Sequence, residues 1–130
     1  MTAEHSLLIQ TSSHPVGVRV EVSGPGTYAN TVAYWRAIVE AVRERQSRAL
    51  LLIDRSSGPA LSEQEWKSLV DTLAGNGLER IRIAHVKPGG LQRVEYCELA
   101  AREAGYTARV FTDEAVASVW LRYGLSEKSA

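Results

Sequence analysis

Hydroxyl side chains directly follow the most apolar segment of the sequence. Residues 49–54 read ALLLID, and Ser56, Ser57 and Gly58 come next after one arginine. A serine at a helix start is a candidate for phosphorylation, because a phosphate adds about −1.5 to −2 charge where unpaired N–H groups and partial positive charge already lie. Serine, glycine and proline also cluster in turns for conformational reasons. We therefore predict that Ser56 and Ser57 form a strand-to-helix turn, with phosphorylation as the alternative.

Ser62 stands closer to the start of the next predicted helix. Ser62 and Glu65 form the S-x-x-E pattern of a capping box, in which each side chain accepts a hydrogen bond from the backbone N–H of the other residue. Glu63 and Glu65 place two carboxylates in the first turn, where a phosphate would meet like charge. We predict that Ser62 is an N-cap worth about 1 kcal/mol, and we favour this role over phosphorylation.

Loops after three predicted strands are expected to meet at one edge of a sheet, because ligands of parallel α/β sheets collect beyond the carboxyl ends of the strands. These loops are DRSSGP (54–59), HVKPGG (85–90) and TDE (112–114). Gly89 and Gly90, with Lys87 beside them, could bind an anion through backbone N–H groups, although Pro88 removes one donor. The candidate edge for a ligand or a phosphorylated serine comprises Ser56, Ser57, Ser62, His85, Lys87, Gly89 and Gly90.

His85 is the residue that most suggests acid–base chemistry, with Asp54 or Asp113 as its carboxylate. No G-x-S-x-G nucleophile elbow accompanies it. Cys97 is the single cysteine, so an intramolecular disulfide and a thiolate zinc cluster are excluded. It falls on the apolar stripe of a predicted helix, where it would serve as a small apolar residue rather than a reactive thiol. We predict no catalytic residue, no metal and no cofactor.

The charge of the chain is balanced, with 15 basic and 15 acidic residues. This weakens any nucleic-acid hypothesis, which needs a concentrated positive surface. Hydrophobic residues make up 45% and charged residues 23%, a composition that favours a globular domain over a disordered chain. No apolar run approaches the length of a membrane span, and the first ten residues lack a basic region followed by a long apolar core. We expect a cytoplasmic protein without a membrane span.

The apolar patterns predict the element order ββαβαβαβα. The predicted strands are 6–11, 16–24, 49–54, 80–86 and 107–113, and the predicted helices are 28–46, 62 to a stop at Gly75 or Gly77, 91–104 and 113–124. Segment 49–54 is apolar without alternation, as in a strand covered on both faces. The other strands mostly keep a charged face. We therefore expect an α/β fold with a mixed five-stranded sheet and four helices packed mainly on one face.

The same spacing predicts which side of each helix is buried. The inner stripe of the third helix is predicted as Leu91, Val94, Cys97 and Ala101, and that of the last helix as Val116, Val119, Trp120 and Tyr123. Trp35 and Trp66 are also predicted to be core residues rather than a base-stacking surface. A single domain is expected over 1–124, with a disordered tail at 125–130.

Several strings in this order resemble the STAS domains, and especially the SpoIIAA-like proteins. The strings are GVRVEVSG (17–24), LLLID (50–54), RIRIAHV (80–86) and the ending ARVFTDEAVASVWL (108–121). The resemblance covers about residues 6–124. It implies a SpoIIAA/STAS-like fold and a small cytoplasmic domain, usually without enzymatic activity, that acts as a binding or regulatory module. The best understood members are anti-sigma-factor antagonists, and some relatives with a similar fold bind lipids.

The antagonists carry a switch serine in a D-S-S-G or D-S-A-G string, at the start of the helix after the central strand. In this sequence Arg55 separates Asp54 from Ser56, and the serines follow the strand at once instead of opening the helix. We therefore interpret the DRSSG string as a strand-to-helix connection in a STAS-like domain that has lost the switch or never had it.

Three functional hypotheses follow for a chain of this kind. The favoured one is a non-enzymatic regulatory or protein-interaction module with a protein partner. The second is a module that binds a small apolar or anionic ligand, or a lipid, in a CRAL-TRIO-like pocket between the sheet and its helices. The third is a small enzyme centred on His85. The exposed faces of the outer strands could also seat a second copy of the chain as a homodimer, and no nucleic-acid partner is expected.

Overall fold

The computed structural model describes the backbone of residues 6–129, and its elements follow the predicted order. The strands are β1 (Leu8–His14), β2 (Gly17–Pro25), β3 (Ala49–Ser57), β4 (Arg82–Val86) and β5 (Thr107–Phe111). The helices are α1 (Tyr28–Arg45), α2 (Glu63–Thr72), α3 (Tyr96–Glu103) and α4 (Glu114–Ser129), with a 3₁₀ turn at Leu78–Arg80. The prediction of an α/β fold with a mixed five-stranded sheet and four helices is confirmed.

The strands lie in the sheet in the same order as in the chain, β1-β2-β3-β4-β5. β1 pairs antiparallel with β2 through a tight hairpin, and each later pairing is parallel. The central strand β3 is therefore hydrogen-bonded on both sides. Because a parallel pairing needs a crossover, a helix separates each of these strands from the next. The carboxyl ends of β2, β3, β4 and β5 thus point to one edge of the sheet.

The central strand owes its continuous apolar sequence to cover on both faces. Leu50 and Leu52 pack in the core that contains residues of α1, α2 and α3. Leu51 and Ile53 pack in a second core with residues of α4. All four are at most 1% exposed, so alternation is lost where neither side of the strand meets water.

Three helices cover one face of the sheet and α4 covers the other. Ala117 and Leu121, one turn apart on α4, are fully buried against Ala84 and Val86 of β4. The predicted inner stripe of this helix is wrong in three positions, because Val116, Val119 and Tyr123 are exposed. Trp120 is partly buried and packs on the second core. The sequence offers apolar residues on two sides of α4. The side that carries the small Ala117 faces the sheet, because a small side chain lets the helix approach closely.

The third helix begins later than predicted. It starts at Tyr96, and residues 91–95 form an irregular segment. Leu91 and Val94, which were predicted to line the inner stripe, are therefore exposed, whereas Cys97 and Ala101 are buried as predicted. The Glu95 carboxylate accepts hydrogen bonds from the backbone N–H of Gln92 and the ammonium group of Lys87, and these contacts hold the segment in its non-helical path.

One further boundary differs from prediction. β1 extends to His14, because residues 12–14 pair with 17–19 of β2 instead of forming the predicted polar turn. At the other end, the disordered tail expected at 125–130 stays a prediction, and residue 130 lies outside the described residues. None of the described helices is both long enough and apolar enough to span a membrane.

Candidate functional site

The serines after the central strand lie within the strand itself. β3 extends to Ser57, and Ser56 and Ser57 pair with Gly24 and Pro25 of β2. The predicted turn therefore begins later, at Gly58, whose φ of 93° is in the left-handed region that favours glycine. The prediction of a turn at Ser56 and Ser57 is wrong, because the neighbouring strand β2 runs on to Pro25 and supplies backbone partners for both residues.

The capping prediction for Ser62 is confirmed. Its hydroxyl accepts a hydrogen bond from the Glu65 N–H at 3.1 Å, and the Glu65 carboxylate accepts one from the Ser62 N–H at 2.9 Å. Thr27 caps α1 in the same way, by accepting a hydrogen bond from the Asn30 N–H. Ser62 is exposed and is not among the residues that line the crevice described next.

A crevice of about 220 Å³ opens at the carboxyl edge of β3 and β4. Its lining includes five of the seven predicted edge residues: Ser56, Ser57, Lys87, Gly89 and Gly90. Asp54 and Tyr34 lie at its inner end, and Trp66 and Leu61 add an apolar wall. His85 lies one layer below, in contact with Asp54, and lines a separate cavity. Asp113 instead accepts a hydrogen bond from the Ala115 N–H at the start of α4 and does not line the crevice.

A buried ion pair lies at the inner end of the crevice, where Asp54 lines it and His85 lies beneath. Nε2 of His85 lies 2.8 Å from Oδ2 of Asp54, and the two side chains are 5% and 9% exposed. The other carboxylate oxygen of Asp54 accepts two hydrogen bonds from Ser56, from the hydroxyl at 2.6 Å and from the backbone N–H at 3.0 Å. The Tyr34 hydroxyl donates to Oδ2 at 3.5 Å. Both oxygens of Asp54 are therefore engaged by protein groups.

The pair is charged near neutral pH. Burial alone would lower the pKa of His85, but the hydrogen bond to Asp54, the influence of Cys97 and the charge of Asp54 together outweigh it and raise that pKa to about 9. Burial would raise the pKa of Asp54, yet the hydrogen bonds from His85 and Ser56 bring it well below its usual value. An imidazolium and a carboxylate thus face each other at the inner end of the crevice.

Lys87 is neutralised by a second ion pair at the side of the crevice. Its ammonium group lies 2.6 Å from Oε1 of Glu95, and both side chains are largely buried. Gly89 and Gly90 belong to a turn in which the Gly90 N–H donates to the Lys87 carbonyl, and α3 begins only at Tyr96. The expected anion site at a helix N-terminus beside Lys87 is therefore not formed, because the turn and the helix are separated by five residues.

The other side of His85 meets aromatic rings and a cavity. Trp35 and Trp66 approach the imidazole edge-on, with ring centroids 6.4 Å and 6.5 Å away. Cys97 lines the same cavity as His85, about 40 Å³ in volume, between α2, α3 and the sheet. The Cys97 thiol also donates to Oε1 of Glu95 at 3.5 Å. Asp54 therefore lines the crevice, and His85 and Cys97 line the cavity beneath it.

From the sequence, His85 was assigned to a strand end and Cys97 to the inner stripe of a helix. Their position at one cavity was not predicted, although the periodicity of the strands and of the helix indicates it. The alternation of β4 puts Ile83 and His85 on one face, and that of β3 puts Leu52 and Asp54 on the corresponding face. Cys97 was predicted on the inner stripe of α3, which covers this face. Strand parity and the helix stripe together place these side chains on the same face of the sheet.

No family model matches this chain, and no curated protein matches it in sequence. Among the described residues, no group of three or more His, Cys, Asp or Glu side chains is placed to hold a metal ion.

Proposed function

We propose that this chain is a regulatory binding module of the SpoIIAA-like STAS kind, and that it binds a protein partner through the crevice at the carboxyl edge of β3 and β4. The observation that carries the proposal is the crevice of about 220 Å³, bounded by the segments after the two strands. It lies after the central strand, where the resemblance places the surface that regulatory relatives use.

The chemistry of the lining favours binding over turnover in the crevice. The Asp54 carboxylate is engaged by His85 and Ser56, and the Lys87 ammonium is engaged by Glu95. A general base must be free to take a proton from a substrate, and neither group is free in this way. Ser57 and the backbone at Gly58 offer hydrogen bonds, and Trp66 and Leu61 offer apolar contact, a combination that suits a peptide loop.

The lipid-binding alternative has less support. The apolar cavity between α2, α3 and the sheet has a volume of about 40 Å³, whereas ligand pockets usually measure roughly 300–1,000 Å³. An acyl chain would therefore require α2 and α3 to separate. Native mass spectrometry of freshly purified protein tests this alternative, because a retained lipid would appear as an added mass.

The test of the proposal is differential capture with one side chain changed inside the crevice and one outside it. Ala60 lines the crevice and Ala74 is an exposed residue elsewhere. Ala60→Arg should abolish capture of the partner from a lysate of the native cells, whereas Ala74→Arg should retain it. Equal capture by Ala60→Arg and Ala74→Arg would show that the crevice is not the binding surface. If neither variant nor the wild type captured a partner, the interaction role itself would be contradicted.

A further inference from the structure

The two edges of the sheet differ in how their backbone groups are satisfied. An edge strand carries N–H and C=O groups that have no neighbouring strand to bind, and proteins usually protect them. At the β5 edge this protection comes from side chains of α3. The Glu98 carboxylate accepts a hydrogen bond from the Val110 N–H at 2.8 Å. The Arg102 guanidinium donates to the Ala108 carbonyl at 3.3 Å. The β5 edge is therefore shielded from a further strand.

The β1 edge has no such protection within the described part of the chain. No hydrogen bond from another element or from a described side chain reaches its outer backbone groups, and Arg45 contacts only the Ser13 hydroxyl. The strand has seven residues and pairs with β2 one residue to one, without a bulge. It contains no proline and no Lys, Arg, Asp or Glu, which are the residues that commonly protect an edge. β1 is therefore open to pairing with a further strand.

Every second residue of β1 directs its backbone away from β2. A two-residue turn joins His14 to Gly17, so these two residues close the hairpin as a hydrogen-bonded pair. The alternation of an antiparallel ladder then points the N–H and C=O groups of Ile9, Thr11 and Ser13 outward. A strand that ran antiparallel to β1 could bind all three residues through the backbone.

Apolar side chains beside this edge are incompletely buried. Leu7 and Ile9 at β1, and Tyr28 and Val32 on α1, pack against the first core but are only partly buried. Val20 of the neighbouring strand β2 belongs to the same core and is 1% exposed. The core thus ends at the β1 edge with apolar surface in contact with water. A further strand at this edge would cover part of that surface, which is favourable.

We propose that the β1 edge pairs antiparallel with the β1 edge of a second copy of this chain, so that the two five-stranded sheets join in a symmetric dimer. A two-fold interface brings the same surface of both copies together and must be self-complementary. The uncharged β1 meets this requirement, because no like charges face each other. A charged strand of another protein would find no opposite charge on β1, so charge complementarity favours the second copy.

The pairing with the greatest overlap has its two-fold axis at Thr11. Thr11 then lies opposite Thr11 of the second copy, and Ile9 lies opposite Ser13 of the second copy. All of these residues have outward backbone groups, and cross-strand threonine pairs are favourable. No residue of β1 lines the crevice at the carboxyl edge of β3 and β4. The dimer therefore leaves both crevices open, and the proposal does not depend on the partner that the crevice binds.

Sedimentation equilibrium of the wild-type chain is the first test. The mass of 14.3 kDa at low concentration should double as concentration rises. We expect a dissociation constant of about 10–100 µM, because pairing of one strand with a narrow apolar flank gives a small interface. A chain that stays monomeric at about 1 mM, well above that constant, overturns the proposal.

Hydrogen exchange of single amides shows whether the strands pair, and it needs no variant. The amides of Ile9, Thr11 and Ser13 should exchange about threefold or more slowly above the dissociation constant than below it, because only the monomer leaves them open. The Val110 amide at the opposite edge is the internal control and should not change. A dimer in which the three β1 amides exchange equally fast at both concentrations would contradict the proposal.

A matched pair of lysine variants locates the interface. Thr11→Lys places two ammonium groups opposite each other at the axis and should raise the dissociation constant at least about tenfold. Thr72→Lys, at an exposed position at the end of α2, should leave the constant unchanged. Circular dichroism verifies that both variants are folded. Equal self-association of the two folded variants in sedimentation equilibrium would overturn the proposal.

Discussion

Nε2 of His85 and Oδ2 of Asp54 lie 2.8 Å apart on neighbouring parallel strands, beneath the crevice at the carboxyl edge of the sheet. The register pairs Leu52 with His85, so Asp54, two residues further along β3, is a diagonal neighbour on the same face. This face is covered by α1, α2 and α3. The pair is therefore a charged contact inside an apolar layer, and its stability depends on both charges being present.

The free energy of unfolding should depend on pH through the ionisation of His85 and Asp54. The pKa of His85 rises from 6.5 to about 9 on folding. The contribution of His85 to the free energy of unfolding is therefore complete below pH 6.5 and is lost as pH rises to about 9. The pKa of Asp54 falls below 3.8, so its contribution is present above that pH and is lost on acidification. We expect a plateau between about pH 4 and 6.5 and a loss of about 3 kcal/mol by pH 9. Urea unfolding across this range measures the profile.

Asp54→Asn should remove most of this dependence. The variant leaves a neutral imidazole in place, so it should be destabilised by about 3 kcal/mol at pH 6 and much less at pH 9.5. Asp71→Asn, at an exposed position, should change the unfolding free energy by no more than about 0.5 kcal/mol at either pH. Equal destabilisation of Asp54→Asn at both pH values would mean that the charge of the pair is not the cause.

The two adjacent serines should differ in their contribution to stability. The Ser56 hydroxyl donates to Asp54 at 2.6 Å, whereas the exposed Ser57 hydroxyl makes a 3.4 Å contact with the Gly24 carbonyl. Ser56→Ala should cost about 1–2 kcal/mol because the bond is made to a charged group, and Ser57→Ala less than about 0.5 kcal/mol. Chemical denaturation of the two variants makes the comparison, and a larger loss for Ser57→Ala would refute the assignment.

The cap of α2 provides a local test of the predicted helix start. Ser62→Ala should destabilise the protein by about 1 kcal/mol, because the N–H of Glu65 loses its acceptor. Ser62→Asn keeps an acceptor at the same place and should restore most of the loss. Thermal unfolding of the three proteins measures the difference. If alanine and asparagine behaved alike, the capping role would be wrong.

The buried side of α4 can be tested with two residues that lie two positions apart. Leu121 is fully buried against the sheet and Val119 is 42% exposed. Leu121→Ala should cost about 2–5 kcal/mol, whereas Val119→Ala should change the unfolding free energy by less than about 0.5 kcal/mol. The predicted stripe, with Val119 inward, requires a substantial loss for Val119→Ala, so urea unfolding of the two variants separates the two orientations.

The sequence was sufficient for the features that depend on local patterns. The apolar segment at 49–54 identified a strand covered on both faces, and Ser62 with Glu65 identified the start of α2. These signals are complete within a few residues, so no knowledge of distant contacts is needed to interpret them.

The features that the sequence did not yield depend on partners far along the chain. The face of α4 is chosen by β3, β4 and β5, and its own apolar residues lie on two sides. Ser56 and Ser57 lie within a strand only because β2 reaches Pro25. The delayed start of α3 depends on the pairing of Glu95 with Lys87. Propensity is overridden in each case by tertiary contact.

The titration of His85, followed by nuclear magnetic resonance of its imidazole nitrogens, tests the central claim most directly. The buried pair predicts an imidazolium at pH 7.5 and a transition near pH 9, which should move to lower pH in Asp54→Asn because the charge of Asp54 then no longer opposes the effect of burial. A wild-type His85 that titrates at or below pH 6.5 would contradict the charged pair, and with it the account of the site built on that pair.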